Sequence, residues 1–434
     1  MKRLISRVAI LLMIASLVGC GKKLPVGPSS STNPGGQTSG QTTAVASNKK
    51  PVTTNEPITY KAPVVEQGET VDVTEAPADE EKLDEQREEL GLDDTGIAET
   101  EEENSDYYCF NMMDADKHEL YAEIYTILLE EGDDVKVSAT SDEDLKYAFQ
   151  CVLNDHPEIY WVDGYSYVRH ERGGQVQYYT FSGKYNYSVK EREAIQSDID
   201  AYVSTALSGI SSSASEYEKV KYVYEYIIDN TEYDLTAEDN QNILSVMRDG
   251  RSVCAGYAKT MQYLLYELDV ECTFVVGSVY GGQGHAWNLV NINDAYYYVD
   301  PTWGDASYFV NGQEADSIDM PMNYDYLNIT SQELIKTHSI DNVVTMPMCI
   351  SDAANYYVKE GALFYSYDYG QMFNLFEKAY KSGKKVVTVK CSSQFAFENV
   401  RKELIDNQQI FEFLRGDKAS YTISEDTYTM NFWL

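Results

Sequence analysis

Three residues far apart along the chain have the types that acyl transfer requires. They are Cys254 in the run DGRSVCAGYAKTMQYLLYEL, His285 at the head of HAWNLVNI, and Asp300 at the end of AYYYVD. A thiol attacks a carbonyl as its thiolate, so it needs a base within reach. The base in turn needs a carboxylate that fixes its tautomer and stabilises the imidazolium. Taken alone, Cys254 reads as a small buried apolar residue. Histidine and aspartate at these positions turn the reading toward a nucleophile.

The elements around these residues must bring them together. Gly250 and Ser252 break and cap the chain, and Cys254, Ala258, Met261, Leu265 and Leu268 then recur at steps of four and three, which is one face of a helix. With Ser252 as N-cap, Cys254 falls in the first turn, where free backbone N–H groups and the positive end of the dipole favour a thiolate. Glu271 to Tyr280 alternates as a strand with Cys272 toward the core. Asn293-Asp294 is a turn signal between the runs that hold His285 and Asp300. An even-numbered loop there puts the two side chains on one face of an antiparallel pair, about one diagonal step apart. Gly281-Gly282-Gln283-Gly284, just before His285, reads either as a mobile gate beside the cleft or as an ordinary hairpin turn.

Together SVCAGYAKTMQYLLYEL, GHAWNLVNI and YYYVDPTWGD resemble the transglutaminase-like superfamily, and within it bacterial surface lipoproteins that carry a transglutaminase domain. The three motifs lie in the family's order, 31 and 15 residues apart, and the resemblance covers roughly residues 215 to 310. Asn154 to Tyr167 and Asn323 to Ser339 are similar to the lead-in and exit segments of those lipoproteins. The resemblance implies an α+β fold with a papain-like core, the cysteine on a helix and the histidine and aspartate on an antiparallel sheet. It implies Cys254 as nucleophile, His285 as base and Asp300 as its orienter. One departure stands out: animal members place a tryptophan ahead of the cysteine to help hold the oxyanion, and no tryptophan lies between Trp161 and Trp287. The backbone N–H of Cys254 supplies one oxyanion donor, and Gln241 and Tyr233 are candidates for the second. Trp287 and Trp303 are expected to wall the cleft.

Around this core the chain divides by composition. Lys2, Arg3 and Arg7 precede an apolar run from Val8 to Val18, and Leu17-Val18-Gly19-Cys20 resembles a bacterial lipobox. That resemblance implies residues 1–20 as a lipoprotein signal peptide, a lipid on the Cys20 sulfur, and a protein at the cell surface, lipid-anchored to the bacterial membrane on its extracytoplasmic side. Residues 21–105 hold Pro, Ser, Thr, Gly and acid, with seven of the eleven prolines before residue 78, and read as a disordered linker with a short helix near Glu80 to Leu90. Residues 106–212 read as a helical and hairpin extension: helices Asp114–Glu131, Asp142–Leu153 and Val189–Leu207, and an aromatic hairpin turned at Gly173-Gly174. His156 and His170 lie there in structural settings. Residues 213–338 are the expected catalytic domain, opening with a helix from Ser215 to Asn230 whose Ser215 and Glu218 form a capping box. Residues 340–434 read as a small α+β module of open role, with strand-like NYYVK and ALFYSY, a helix to Lys381, strand VVTVKC, helix Gln394–Leu404 and a terminal strand.

A net charge of −36 excludes nucleic acid as a partner, since phosphates would be repelled. Beyond Cys20 the six cysteines show neither CxxC nor zinc spacing, and no acidic run has calcium-loop spacing, so neither metal nor cofactor is expected. The expected partners are a protein or peptide substrate, cell-envelope material among the options, and the membrane through the N-terminal lipid; the sequence leaves the oligomeric state open. Three functions remain. The first is a surface-tethered thiol acyltransferase acting on glutaminyl-type peptide amides through a thioester. The second is a cysteine peptidase or amidase on envelope or host peptides. The third is a binding lipoprotein without turnover.

Overall fold

The structure, a computed structural model, describes residues 60–68, 70–73, 80–279, 281–305, 322–341, 343–425 and 427–434. The leader, Cys20 and the linker up to residue 59 lie outside the described residues. Among the described residues no helix is long and apolar enough to cross a membrane.

The centre is a four-stranded antiparallel sheet in the order Ala295–Val299, Gln283–Ile292, Cys272–Val279, His338–Ile340. Both faces are covered, so the usual alternation of apolar and polar gives way to side chains buried on both sides. Cys272, Val290, Ile292, Tyr297 and Val299 join Tyr257, Met261, Leu264 and Leu265 of the helix Cys254–Tyr266 in one core cluster. Val220, Val223, Tyr224 and Ile227 of the helix Glu216–Asn230 back this cluster. The alternate residues Val275, Trp287, Leu289 and Tyr298 enter a second cluster with Tyr121, Phe149 and Phe181 of the N-terminal extension. That extension holds the long hairpin Val162–Arg172 and Gln175–Tyr185, turned at Gly173 and Gly174 with φ of 59° and 75°. Helix starts follow the local chemistry: Ser188 with Glu191 and Ser215 with Glu218 close reciprocal caps, and Ser141 accepts from Asp144 N.

Two expectations change. The stretch expected as linker is folded from Tyr60 in its described parts: Val64–Gln67 pairs in parallel with Gly164 to Tyr167, and helices span Glu80–Glu89 and Asp94–Asn104. Its acids point outward, while Leu92 and Ile97 enter the core and Arg87 reaches buried Glu123 at 2.6 Å. One cation satisfying one buried carboxylate, plus two apolar anchors, outweighs an acid-rich composition. The helix expected near Glu80 is present. In the C-terminal module NYYVK is not a strand. Asn355 accepts from Tyr357 N and starts the helical turn Tyr356–Lys359. The module's own sheet runs Leu363–Phe364, Val386–Cys391, Thr429–Trp433, Ser420–Ser424 over a separate cluster centred on Phe376, Val389 and Phe432.

Candidate active site

The helix starts one residue later than its expected cap. Val253 holds the N-cap position without a side-chain bond, and Cys254 is the first helical residue. Ser252 instead turns its hydroxyl inward to Ser245 Oγ at 2.6 Å, and both serines are wholly buried. Gly256 explains why the inward turn is tolerated, because a Cβ there would sit 2.0 Å from Ser252 Oγ and 2.7 Å from Ser245 Oγ. Gly256→Ala is therefore expected to cost about 1–3 kcal/mol and to shift the cysteine's turn of helix. Thermal unfolding of the single variant beside Gly256→Ala with Ser252→Gly checks this, since the second change removes the closer of the two overlaps, leaves the one with Ser245 Oγ, and should recover part of the loss.

His285 and Asp300 meet through the register of one hairpin. Asn293 and Asp294, with φ of 51° and 61°, make a two-residue turn of the kind that matches strand twist. Pairing then runs Ala295 with Ile292 through to Val299 with Asn288. One residue on, Asp300 lies diagonal to His285, and His285 Nε2 is 2.7 Å from Asp300 Oδ2. This leaves Nδ1 for the thiol, and the Cys254 side chain is both a hydrogen-bond and a charge partner of the ring. All three residues are buried, Cys254 to 0% exposure. Burial pulls the His285 pKa down, but the charges of Asp300 and Cys254 outweigh it and lift it to about 10. For Asp300, burial acts upward, and the two imidazoles beside it hold its carboxyl well below the usual carboxylate range instead. The site therefore favours a buried imidazolium between an anion and a sulfur.

The second imidazole was not among the residues read from the sequence. His338 Nε2 lies 3.0 Å from the same Asp300 oxygen, its Nδ1 is 2.7 Å from Thr337 Oγ1, and burial lowers its pKa. Asp300 Oδ1 accepts from Trp303 N at 3.1 Å, so both carboxylate oxygens are used. His338 sits on a three-residue strand 38 positions beyond Asp300, and sequence periodicity has nothing to say about so short a piece. The signal that was available is scarcity: the chain has five histidines, and this one is the last residue but one of the exit segment of the resemblance. His285, Asp300 and His338 also form the one group with ligand atoms clustered as a metal would need, all within 4.8 Å, among the described residues. Those atoms already bond one another. His338→Ala is expected to lower stability by about 1–3 kcal/mol by removing a partner of a buried carboxylate. His338→Gln, which keeps a donor, should recover part of the loss and restore the shape of the pH–rate profile. A purely structural residue would leave that profile unmoved.

The remaining expected residues separate. Trp303 is half-buried, with its ring 4.8 Å from His338 and 6.2 Å from His285, which places it as a wall over the two imidazoles. Trp287, also expected as a wall, is wholly buried behind His285 at 5.8 Å, because alternation from His285 points it into the cluster with the N-terminal extension. Gln241 lies beside the cleft: its Oε1 accepts from Lys61 N at 2.8 Å and its Nε2 donates to Asn240 at 2.8 Å. Tyr233 pairs with Ser252 across two short parallel strands and sets its ring against Tyr257, 6.4 Å between centroids. The glycines before His285 form a hairpin turn, with Gly281 and Gly282 at φ of 87° and 76° and Val279 paired with Gln283. His156 bonds Glu158 at 2.7 Å and Asn104 at 2.8 Å and stacks on Tyr125, and His170 stacks on Tyr178, so both are held as parts of the extension.

Residues 204–301, which contain the cysteine, histidine and aspartate, match the profile of the transglutaminase-like superfamily. The chain carries a transglutaminase-like core. Its architecture is α+β, with that core flanked by the extension and the C-terminal module. Kyphoscoliosis peptidase of Homo sapiens is 29% identical over 132 residues, which is 24% of this chain and 20% of that protein. The Mus musculus protein of the same name is 28% identical over 126 residues, 25% of this chain and 19% of that protein. The chain thus spans about a fifth of the length of each relative. A solved transglutaminase (TGase) is similar at 16% identity with a TM-score of 0.25, over 36% of this chain and 48% of that one, too little superposition to carry an argument. The transglutaminase-like core has the make-up of a cysteine enzyme.

Proposed function

We propose that this protein transfers acyl groups from peptide amides, with Cys254 as nucleophile, His285 as general base and acid, and Asp300 as the group that holds the imidazole. The observation that carries this reading is the hydrogen-bonded line from the Cys254 thiol through His285 to Asp300 at 2.7 Å. The thiolate attacks a side-chain or main-chain amide carbon, and the carbonyl electrons move to oxygen as the tetrahedral intermediate forms. The Cys254 N–H, in the first turn of its helix, donates to that oxyanion in this reading. His285 passes its proton to the leaving nitrogen, ammonia or an amine departs, and a thioester remains on sulfur. Attack on the thioester by an amine completes a transglutaminase-type transfer, and attack by water completes hydrolysis.

The glutaminyl acyltransferase is the leading form, and a cysteine peptidase or amidase is the second because both curated relatives are named peptidases. A binding protein without turnover would have no need of a buried imidazolium poised on sulfur. Incubating the protein with a glutamine-rich polypeptide, with and without a labelled primary amine, tests all three. Amine incorporation supports transfer, release of ammonia or fragments alone supports hydrolysis, and neither product defeats the enzymatic reading.

The anchored location is part of the same proposal and rests on the resemblance of Leu17 to Cys20 to a lipobox. Cys20→Ser is expected to move the protein from the membrane fraction to the soluble fraction and to abolish labelling by a fatty-acid probe. Unchanged labelling would remove the anchor.

A further inference from the structure

We propose that the cleft over Cys254 is a peptide-binding groove with a subsite for a tyrosine-type side chain, and that the chain's own Tyr60–Lys61 occupies it as a built-in competitor. The proposal rests on the acyl-transfer reading for the use of the groove, though not for its existence.

Two successive amides of this segment bond to opposite walls. Tyr60 N donates to the carbonyl of Gly284, the residue directly before His285, at 3.4 Å. Lys61 N donates to Gln241 Oε1, on the lead-in to the cysteine helix, at 2.8 Å. A backbone that bonds both to the residue before His285 and to Gln241 crosses the opening where a substrate peptide must lie. Bonds of this kind are independent of sequence, so the side chain between them sets specificity.

The Tyr60 ring packs on the small cluster made by Cys254, Ala255, Ala258, Phe274 and Ala286, with its centroid 6.0 Å from Phe274. Its hydroxyl meets the Gln150 side chain, and burial raises its pKa to about 12. A pocket of small aliphatic groups and one aromatic face, closed by an amide, suits a phenol better than an aliphatic or charged side chain. With Tyr60 packed over it, Cys254 has no exposed surface. The segment is secured just beyond by the parallel pairing of Val64 to Gln67 with Gly164 to Tyr167. A tethered occupant competes at an effective concentration on the order of millimolar, which weakens any free peptide by the ratio of that concentration to the cis segment's own affinity.

The test uses the full chain, its Tyr60→Ala and Tyr60→Phe variants, and a synthetic peptide of residues 57–64, PITYKAPV. Alkylation of Cys254 by iodoacetamide is followed by peptide mapping. Tyr60→Ala should be alkylated about tenfold faster or more, and Tyr60→Phe should stay close to the parent. Added peptide should slow the Tyr60→Ala variant back toward the parent rate, and the same peptide with alanine in place of tyrosine should not. Equal rates for parent and Tyr60→Ala, or a faster rate that the peptide fails to reverse, would overturn the proposal. Thermal unfolding checks that the variants are folded, and Tyr60→Leu serves if Tyr60→Ala is not. None of these readouts needs turnover. Protection without acyl transfer would sink the proposed reaction and leave the groove standing, and acyl transfer without protection would do the reverse.

Discussion

Replacing Cys254 with alanine is expected to abolish the thioester and to lower turnover by about 10,000-fold or more, because members of a catalytic unit fail together when one is removed. The thiol is the one group in the site whose loss removes a bond-forming atom rather than a helper. Cys254→Ser should be nearly as inactive, since an alkoxide is far harder to generate than a thiolate next to the same imidazole. Folding should survive both changes: the removed atom is small, and Ala258, Phe274 and Ala286 still pack together beneath it. Intact-mass analysis after brief exposure to substrate reads the result directly, as an acyl adduct on the parent and none on either variant. An alanine variant with more than about a hundredth of the parent rate would place the nucleophile elsewhere.

Asp300→Asn should have the second largest effect, a loss of about 1,000- to 10,000-fold in turnover with the fold retained. An amide oxygen can still accept one hydrogen bond, yet it carries no charge to hold His285 protonated, and its NH2 meets imidazole nitrogens that both point at it as donors. Asp300→Ala should also destabilise by about 3–5 kcal/mol, because it strands a buried imidazolium. The pH dependence follows from the two shifts. His285 is raised from 6.5 to about 10 in the folded state, so its contribution to stability is complete below about pH 6.5 and is lost as pH rises toward 10. Asp300 is lowered from 3.8, so its contribution is complete above about pH 4 and is lost on acidification below that. The two statements describe one ion pair and are not additive. Melting temperature measured from pH 6 to 10 should fall more steeply for the parent than for Asp300→Asn, and parallel curves would show that the pair is not ionised as described.

Much of this arrangement is readable in the sequence where a local rule decides it. The helix Cys254–Tyr266 shows in apolar residues at steps of three and four, and Ser215 with Glu218 marks a helix start by itself. The convergence of His285 on Asp300 is readable because a two-residue turn leaves a single register, and register fixes faces. What escapes is set by partners distant in sequence. Ser252 looks like a cap until Ser245, seven residues earlier, offers its hydroxyl a buried partner. Trp287 looks like a cleft residue because the extension that buries it is built from residues before 190. The acid-rich stretch before residue 105 shows its helix near Glu80 but hides the one at Asp94–Asn104 and the folding of the whole stretch, because the anchors are sparse, among them Arg87 on Glu123 and the amide of Asn104 on His156. Tyr60 escapes for the same reason, since its contacts lie roughly 90 to more than 200 residues away.

The turn at Asn293–Asp294 has one more implication, for how this gene can drift. Side chains alternate along a strand with a period of two, so gaining or losing a single codon between His285 and Asp300 would swing the carboxylate to the far side of the sheet and leave both imidazoles facing a valine or a proline, the residues on either side of it. Length changes at that corner are survivable only in pairs. Parity, more than the identity of the residues that fill the gap, is what the stretch between them has to preserve.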